Sequence, residues 1–302
     1  MDRQADTAFR IGIALGSGAA RGWAHIGVMR GLKEAGIVAD IVAGTSMGAL
    51  VGGCEVAGQL DALEAFARDL SRRRLLTLLD LNFSGAGLLK GEKLSRMLDL
   101  SLADLKIEKL DRTFVAIATE LATGHEIWLR QNSLTTAMRA SYALPGIFPP
   151  VEFEGRILID GALVNPIPTS TARAFGSRLV IAVNLNPSAM GQSIPLNGRL
   201  DNPVSPEPNG NMEMVSAFKR KIFGSRAAEP SVVNVMLGAF NISLDRIARA
   251  RLASDPPDVT ITPQVGHIGL SDFDKADETI ELGHQAAVAA IPHIEDMLTV
   301  LA

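Results

Sequence analysis

The chain has 302 residues, 47% apolar and 21% charged, with a net charge of −4. That length suits one large α/β domain or two small ones, and the acidic balance argues against nucleic acid, which needs a clear basic excess. The single cysteine, Cys54, excludes an intrachain disulfide and a cysteine zinc cluster, so a reducing compartment is expected.

The opening "MDRQADTAFR" is polar rather than a signal peptide, and no run approaches the ~20 apolar residues that span a bilayer. A soluble, cytoplasmic protein able to touch membranes is expected. Residues 9–15 ("FRIGIAL") form an apolar run that ends in glycines, which predicts a buried strand. Residues 19–35 have helical character and stop at Gly36. A short strand at 41–43 runs into "GTSMG" and a helix of small residues over 47–57, followed by a helix over 61–73. A glycine-broken loop covers 81–94 and leads to a helix near 91–98.

Residues 113–121 ("TFVAIATEL") are β-branched and apolar, and "HEIWLR" (125–130) is expected to pair with them as a hairpin. "LTTAMRASYAL" predicts a helix stopped by Pro145. "RILIDGALVNPIP" (156–168) reads as a strand that breaks at Asp160-Gly161. Residues 178–186 are the clearest buried strand, 256–263 supply a last strand, and 274–291 a last amphipathic helix. Strands alternating with helices predict an α/β fold with a mainly parallel sheet and helices on both faces. Residues 187–213 are rich in Pro, Asn, Gly and Ser, which predicts a mobile loop or lid. The expected organisation is a core over 9–186, a loop and helical lid-like insertion over 187–254, and a strand and helices over 255–302 that complete the core.

"GTSMG" fits G-x-S-x-G at Gly44, Ser46 and Gly48. A serine on a sharp strand-to-helix turn has a strained backbone, and glycines two positions either side avoid collisions with neighbouring elements. The following helix turns its positive end toward the site, which favours developing negative charge. A serine nucleophile needs a base. Of the five histidines, His25 suits interior packing, His125 lies in a hairpin turn, and His284 and His293 lie on the terminal helix segment. His267 falls on a late loop, in the Ser…Asp…His order of α/β-hydrolases. None has a motif around it. Asp160 comes straight off a hydrophobic strand, and Gly161 lets the chain turn at once, which places a carboxylate where α/β sheets carry their chemistry. An ordinary Asp-Gly turn is the alternative.

"GSGAARG" (16–22) fits neither a dinucleotide fingerprint, which needs glycine where Arg21 stands, nor a Walker loop. A run of backbone N–H groups at a helix start binds an anion, and the oxyanion of acyl transfer is one. The two glycine-rich stretches therefore read as halves of one site.

Together, G-x-G-x-x-R-G-x-x-H-x-G-V over 16–28, G-x-S-x-G over 44–48 and D-G-A over 160–162 resemble the patatin-like phospholipases, in particular their bacterial and neuropathy-target-esterase-like branch. Residues 139–168 are similar to that branch as well, and the resemblance covers roughly 11–186. It implies a three-layer α/β/α sandwich and a Ser–Asp dyad without histidine. Ser46 is then the nucleophile and Asp160 the general base and later acid. Backbone N–H groups around Gly16, Ser17, Gly18 and Ala19 form the oxyanion hole, with Ser17 and Ala19 replacing glycines usual in that branch. Arg21 and Gly22 support the loop, with Arg21 either holding it or attracting phosphate, and Asn165 and Pro166 shape the turn after Asp160. No cofactor and no metal is called for.

The implied substrates are phospholipids, lysophospholipids or simple esters. "MEMVSAFKRKIFG" (212–224) has apolar residues with Lys219, Arg220 and Lys221 beside them. With residues 231–244 it is a candidate lid for peripheral contact with an anionic membrane surface, or a pair of ordinary packed helices. The rival expectations are a serine acyltransferase or histidine-using hydrolase, a catalytically silent lipid- or partner-binding regulator on the same fold, and a nucleotide-binding protein.

Overall fold

Short, continuously apolar segments form the centre of the fold because their side chains are covered on both sides. The computed structural model describes residues 9–70, 102, 105–186 and 232–301. β1 (Ile11–Leu15), β2 (Ile41–Thr45) and β7 (Leu179–Val183) are buried almost throughout, as expected for parallel strands sandwiched between helices. Alternate residues of β1 serve different layers. Ile13 and Leu15 join one core with Trp23, Ile26, Leu50 and Ile280, and Ala14 joins another with Ile167, Ala182 and Ala248.

The eight-stranded sheet runs β5-β6-β3-β2-β1-β7-β8, with β4 also paired to β3. β3 is Thr113–Glu120, β4 Glu126–Leu129, β5 Val151–Phe153, β6 Arg156–Asp160 and β8 Val259–Ile261. The β2-β1-β7-β8 part and the β2–β3 pair are parallel, while β4, β5 and β6 join antiparallel. The helices are α1 (Ala24–Glu34), α2 (Met47–Val56), α3 (Leu60–Asp69), α4 (Leu134–Ser141), α5 (Thr169–Ala174), α6 (Val232–Ser254) and α7 (Ala276–Leu301). The expected mainly parallel α/β architecture is the observed one.

The register of β3 determines how the site forms. Ala116 and Ile117 pair with both β2 and β4, so those two strands lie on opposite sides of β3. Ala118 and Thr119 pair with both β4 and β6, so β6 also lies opposite β4. β2 and β6 therefore share one side of β3 and meet end to end. Thr45, the last residue of β2, pairs with Ile117, and Asp160, the last residue of β6, pairs with Ala118.

Several elements differ from the sequence expectation. The helix expected over 19–35 is divided: a 3₁₀ turn occupies Ala19–Trp23 before α1 begins, and Ala19 has a positive φ of 48° that no continuous helix accommodates. The β5–β6 hairpin was not anticipated at its β5 half. Its turn, Glu154-Gly155, has φ values of 51° and 75°, the paired positive angles that suit a two-residue hairpin. α7 continues through Pro292 to Leu301, ten residues beyond the expected end.

The chain divides into two compact units, Met1–Pro187 with Ile247–Ala302, and Ser188–Arg246. The described part of the second unit is helical, the opening turns of α6. The loop over 187–213, the basic amphipathic stretch over 212–224, and the loop and helix expected over 81–98 lie outside the described residues.

Candidate active site

β2 ends at Thr45 and α2 starts at Met47, so Ser46 alone makes the turn. Its backbone is at φ 56°, ψ −121°, a combination that costs of order 1–3 kcal/mol for a residue with a side chain. The turn is tight enough to require glycine nearby: a Cβ on Gly48 would lie 2.1 Å from Leu15 O. Gly44 faces the backbone of Gly48 and Ala49 in the same way.

Asp160 is brought to Ser46 by the end-to-end meeting of β2 and β6. Ser46 Oγ donates to Asp160 Oδ2 at 2.7 Å, and both residues are buried. Asp160 Oδ1 accepts from Ala162 N at 2.8 Å, so each carboxylate oxygen has one donor. Its backbone is fixed on both sides: its N–H donates to Ala143 O at 3.0 Å, and its carbonyl accepts from Thr119 Oγ1 at 2.8 Å. A Cβ on Gly161 would lie 2.1 Å from Ile117 O, so only glycine lets the chain turn against β3 here. Burial disfavours the ionised carboxylate and raises Asp160 from the ordinary 3.8 to about 6, against the opposing effect of its two hydrogen bonds.

The glycine loop packs against the start of α2. A Cβ on Gly22 would collide with Met47, and the space beside Gly48 is bounded by Leu15 O and Gly16 O. Two of the loop's amides are already committed, Gly16 N to Val183 O at 3.2 Å and Ser17 N to Pro166 O at 2.9 Å. Gly18 N and Ala19 N have no acceptor among the described residues. Arg21 is buried. Its Nε donates to Ile268 O at 2.7 Å, while Ala20 N donates to Leu270 O at 3.2 Å, so the 264–272 loop is clamped onto the glycine loop. Desolvation lowers the Arg21 pKa, partly offset by Asp272.

His25 is fully buried, and its Nε2 lies 2.7 Å from Gly16 O. A carbonyl only accepts, so Nε2 carries the proton. Burial pushes His25 down to about 4, which keeps it neutral. His267 pairs with Glu278 and His284 with Glu34, while His125 and His293 are exposed. None of the five histidines is hydrogen-bonded to Ser46 or Asp160. The turn after Asp160 is held by Asn165: its carbonyl accepts from Thr45 Oγ1 at 2.8 Å and its Nδ2 donates to Glu126 Oε1 at 2.9 Å. Pro166 contributes the carbonyl that binds Ser17 N.

Sequence reasoning missed the hydroxyls that hold this frame, Thr45, Thr119 and Ser141. Ser141 stands within the stretch that carries the family resemblance, yet nothing in its spacing separates it from a helical surface serine.

The family model described as "Patatin-like phospholipase" matches residues 13–173. An uncharacterized NTE family protein of Mycobacterium tuberculosis is 42% identical over 182 residues, covering 60% of this chain and 51% of that protein. A second from the same organism is 31% identical over 293 residues, covering 95% of this chain and 47% of that protein. The protein named lysophospholipase NTE1 of Pyricularia oryzae is 26% identical over 296 residues, covering 95% of this chain and 19% of its own. The chain spans about half the length of the mycobacterial relatives. Among solved structures, that of VipD from Legionella pneumophila superposes with a TM-score of 0.54 at 13% identity, over 94% of this chain and 67% of that one. This likeness is one of fold.

Proposed function

The chain belongs to the patatin-like phospholipase family, and from that premise we propose that it is a serine hydrolase of lipid acyl esters, with Ser46 as nucleophile and Asp160 as its base. The 2.7 Å hydrogen bond from Ser46 Oγ to a buried Asp160 carboxylate is the observation that carries the proposal. The name lysophospholipase borne by a relative favours a lipid ester over other acyl compounds.

In the proposed reaction Ser46 Oγ attacks the ester carbonyl carbon as its proton passes to Asp160 Oδ2. The carbonyl π pair moves onto oxygen, and the resulting oxyanion is met by backbone N–H groups. Gly18 and Ala19 are the donors we assign, with the N-terminal end of α2 adding its positive partial charge. The amides of Gly16 and Ser17, also expected in the oxyanion hole, donate to Val183 O and Pro166 O, which is why the proposal gives the oxyanion to Gly18 and Ala19. The tetrahedral intermediate collapses, the carbon–oxygen bond to the alcohol breaks, and the leaving oxygen takes the proton from Asp160. Water then loses a proton to Asp160 as it attacks the acyl-serine. In the second collapse the carbon–Oγ bond breaks, Ser46 Oγ takes that proton back from Asp160, and a carboxylic acid is released. A carboxyl raised to about 6 is a stronger base than an exposed aspartate yet remains mostly ionised at neutral pH.

Peripheral contact with the inner membrane surface, through residues 212–244 of a cytoplasmic protein, extends the proposal. It rests on the basic amphipathic sequence, since residues 212–231 lie outside the described residues. No described helix is long and apolar enough to cross a membrane.

The test is release of fatty acid from a lysophospholipid, and of alcohol from a short soluble ester, by the wild type and by Ser46→Ala. Turnover by the wild type and none by the variant is expected. Equal activity in both proteins would end the proposal. Deleting 212–224 should lower turnover of vesicle lipid more than of the soluble ester, and equal losses would remove the membrane contact from the scheme.

A further inference from the structure

Ser141, the last residue of α4, is fully buried and its hydroxyl has two partners. Oγ donates to Ile117 O at 2.6 Å and accepts from Ser46 N at 2.9 Å. Ile117 is the β3 residue opposite Thr45, where direct pairing of β2 with β3 ends. One hydroxyl thus joins the amide of the strained serine to the strand that β2 has just left. Two residues on, Ala143 O accepts the amide of Asp160. The 141–143 segment therefore grips the backbones of Ser46 and Asp160 at the junction where β2 and β6 meet.

We propose that Ser141 is a positioning residue for the reaction: by accepting the Ser46 amide it sets the direction of Ser46 Oγ toward Asp160 and toward the substrate carbonyl. The inference rests on Ser46 and Asp160 being the reacting pair. Ser46 has an unfavourable φ, and a peptide in that state relaxes unless its ends are tied. The carbonyl side is tied by the first turn of α2, where Ala49 N and Leu50 N both donate to Ser46 O. On the amide side, Ser141 Oγ supplies the tie. Without it the buried Ser46 N–H and Ile117 carbonyl lose a shared partner, and the turn can rotate toward a less strained backbone that misaligns Oγ. Misplacement of a reacting atom by about an ångström costs on the order of 100-fold in rate. Ser141 is hydrogen-bonded to neither reacting side chain, so its contribution acts through the geometry of Ser46.

The experiment compares the wild type with Ser46→Ala, Ser141→Ala, Ser141→Cys and Ser177→Ala on a short soluble ester. It reads kcat and KM separately, the rate of fluorophosphonate labelling, and the melting temperature. Ser177 is the control, because its buried hydroxyl donates to Ala172 O on a different helix and is not hydrogen-bonded to the dyad. Ser141→Ala is expected to lower kcat and the labelling rate roughly 10- to 100-fold with KM little changed. Ser177→Ala should lose a similar amount of melting temperature and keep its kcat. Ser141→Cys retains side-chain volume with a weaker acceptor, so an intermediate kcat is expected. It carries the comparison if the alanine variant does not accumulate as folded protein. A kcat for Ser141→Ala within twofold of the wild type, with Ser46→Ala inactive, would overturn the inference and leave the dyad standing. Equal kcat losses in Ser141→Ala and Ser177→Ala would overturn it too. Full activity in Ser46→Ala would overturn the dyad and this inference together.

Discussion

Ser46 Oγ lies 2.7 Å from Asp160 Oδ2, where two strands sharing one side of β3 meet end to end. In the proposed dyad the base is thus delivered by the end of β6, and burial governs its ionisation. Asp160 must be ionised to take the serine proton, and burial holds its pKa near 6. The kcat/KM of a soluble ester is expected to be level above pH 7 and to fall roughly tenfold per pH unit below about 6. A limb centred near 4 would mean that the carboxylate is not desolvated during turnover.

The same burial makes Asp160 costly to the fold at neutral pH. The unfolded chain releases this proton near 3.8 and the folded chain near 6. Between those values the folded state binds more protons, so the Asp160 contribution weakens stability as pH rises and is fully unfavourable above 6. Asparagine never ionises and keeps an oxygen for Ala162 N. Asp160→Asn is therefore predicted to be more stable than the wild type by roughly 3 kcal/mol at pH 7, the free-energy equivalent of holding the carboxyl near 6 rather than 3.8. The gain should vanish near pH 4. Urea unfolding at the two pH values checks the sign and the trend.

His25 has the opposite dependence. It is neutral in the fold, pushed down to about 4 by burial from the ordinary 6.5. Its contribution to stability is complete above pH 6.5 and is lost as pH falls toward 4. His25→Gln retains an N–H donor for Gly16 O, so it should fold and should show a shallower loss of stability between pH 6.5 and 4. Unfolding curves across that interval, compared with the wild type, give the measurement.

Histidine is not required for turnover in the proposed reaction. His267, the late-loop candidate suggested by α/β-hydrolase order, is exposed and paired with Glu278. His267→Ala is predicted to keep kcat within twofold and to change stability by less than about 1 kcal/mol, the scale of an exposed ion pair. Loss of turnover with an intact fold would reinstate a histidine base.

Gly48 offers a steric test of the serine turn. With a Cβ 2.1 Å from Leu15 O, alanine must displace α2 from β1. Gly48→Ala is expected to lose both solubility and ester hydrolysis, at a cost on the order of 4 kcal/mol or more. Expression yield and unfolding midpoint read this out.

The parts of the proposed site that could be read from the sequence are those with a local signal. Ser46 and Asp160 each follow an apolar strand and sit beside glycines, and those glycines fill contacts with backbone from another element. The parallel strands were legible for a related reason: burial on both faces leaves an unbroken apolar run. Ser141, Thr45 and Thr119 were not legible, because a buried hydroxyl bonded to a carbonyl 24, 120 or 41 residues away has no periodicity. The partition of the loop's amides was equally hidden. Whether Gly16 N binds substrate or Val183 O depends on where β7 ends. The short β5 strand was not legible because it is only half-buried, with the charged Glu152 exposed at its centre, and so lacks an apolar run.

Fluorophosphonate labelling read by intact mass, on the wild type, Ser46→Ala and Asp160→Asn at pH 7.5, asks whether Asp160 activates Ser46. The phosphorus–fluorine bond breaks as Ser46 Oγ bonds phosphorus, so the adduct reports nucleophilicity without needing the physiological lipid. The expected result is one adduct on the wild type, none on Ser46→Ala and labelling at least 100-fold slower on Asp160→Asn, the scale of losing a general base. Labelling of Asp160→Asn at the wild-type rate, or an adduct that persists in Ser46→Ala, would contradict the Ser–Asp dyad.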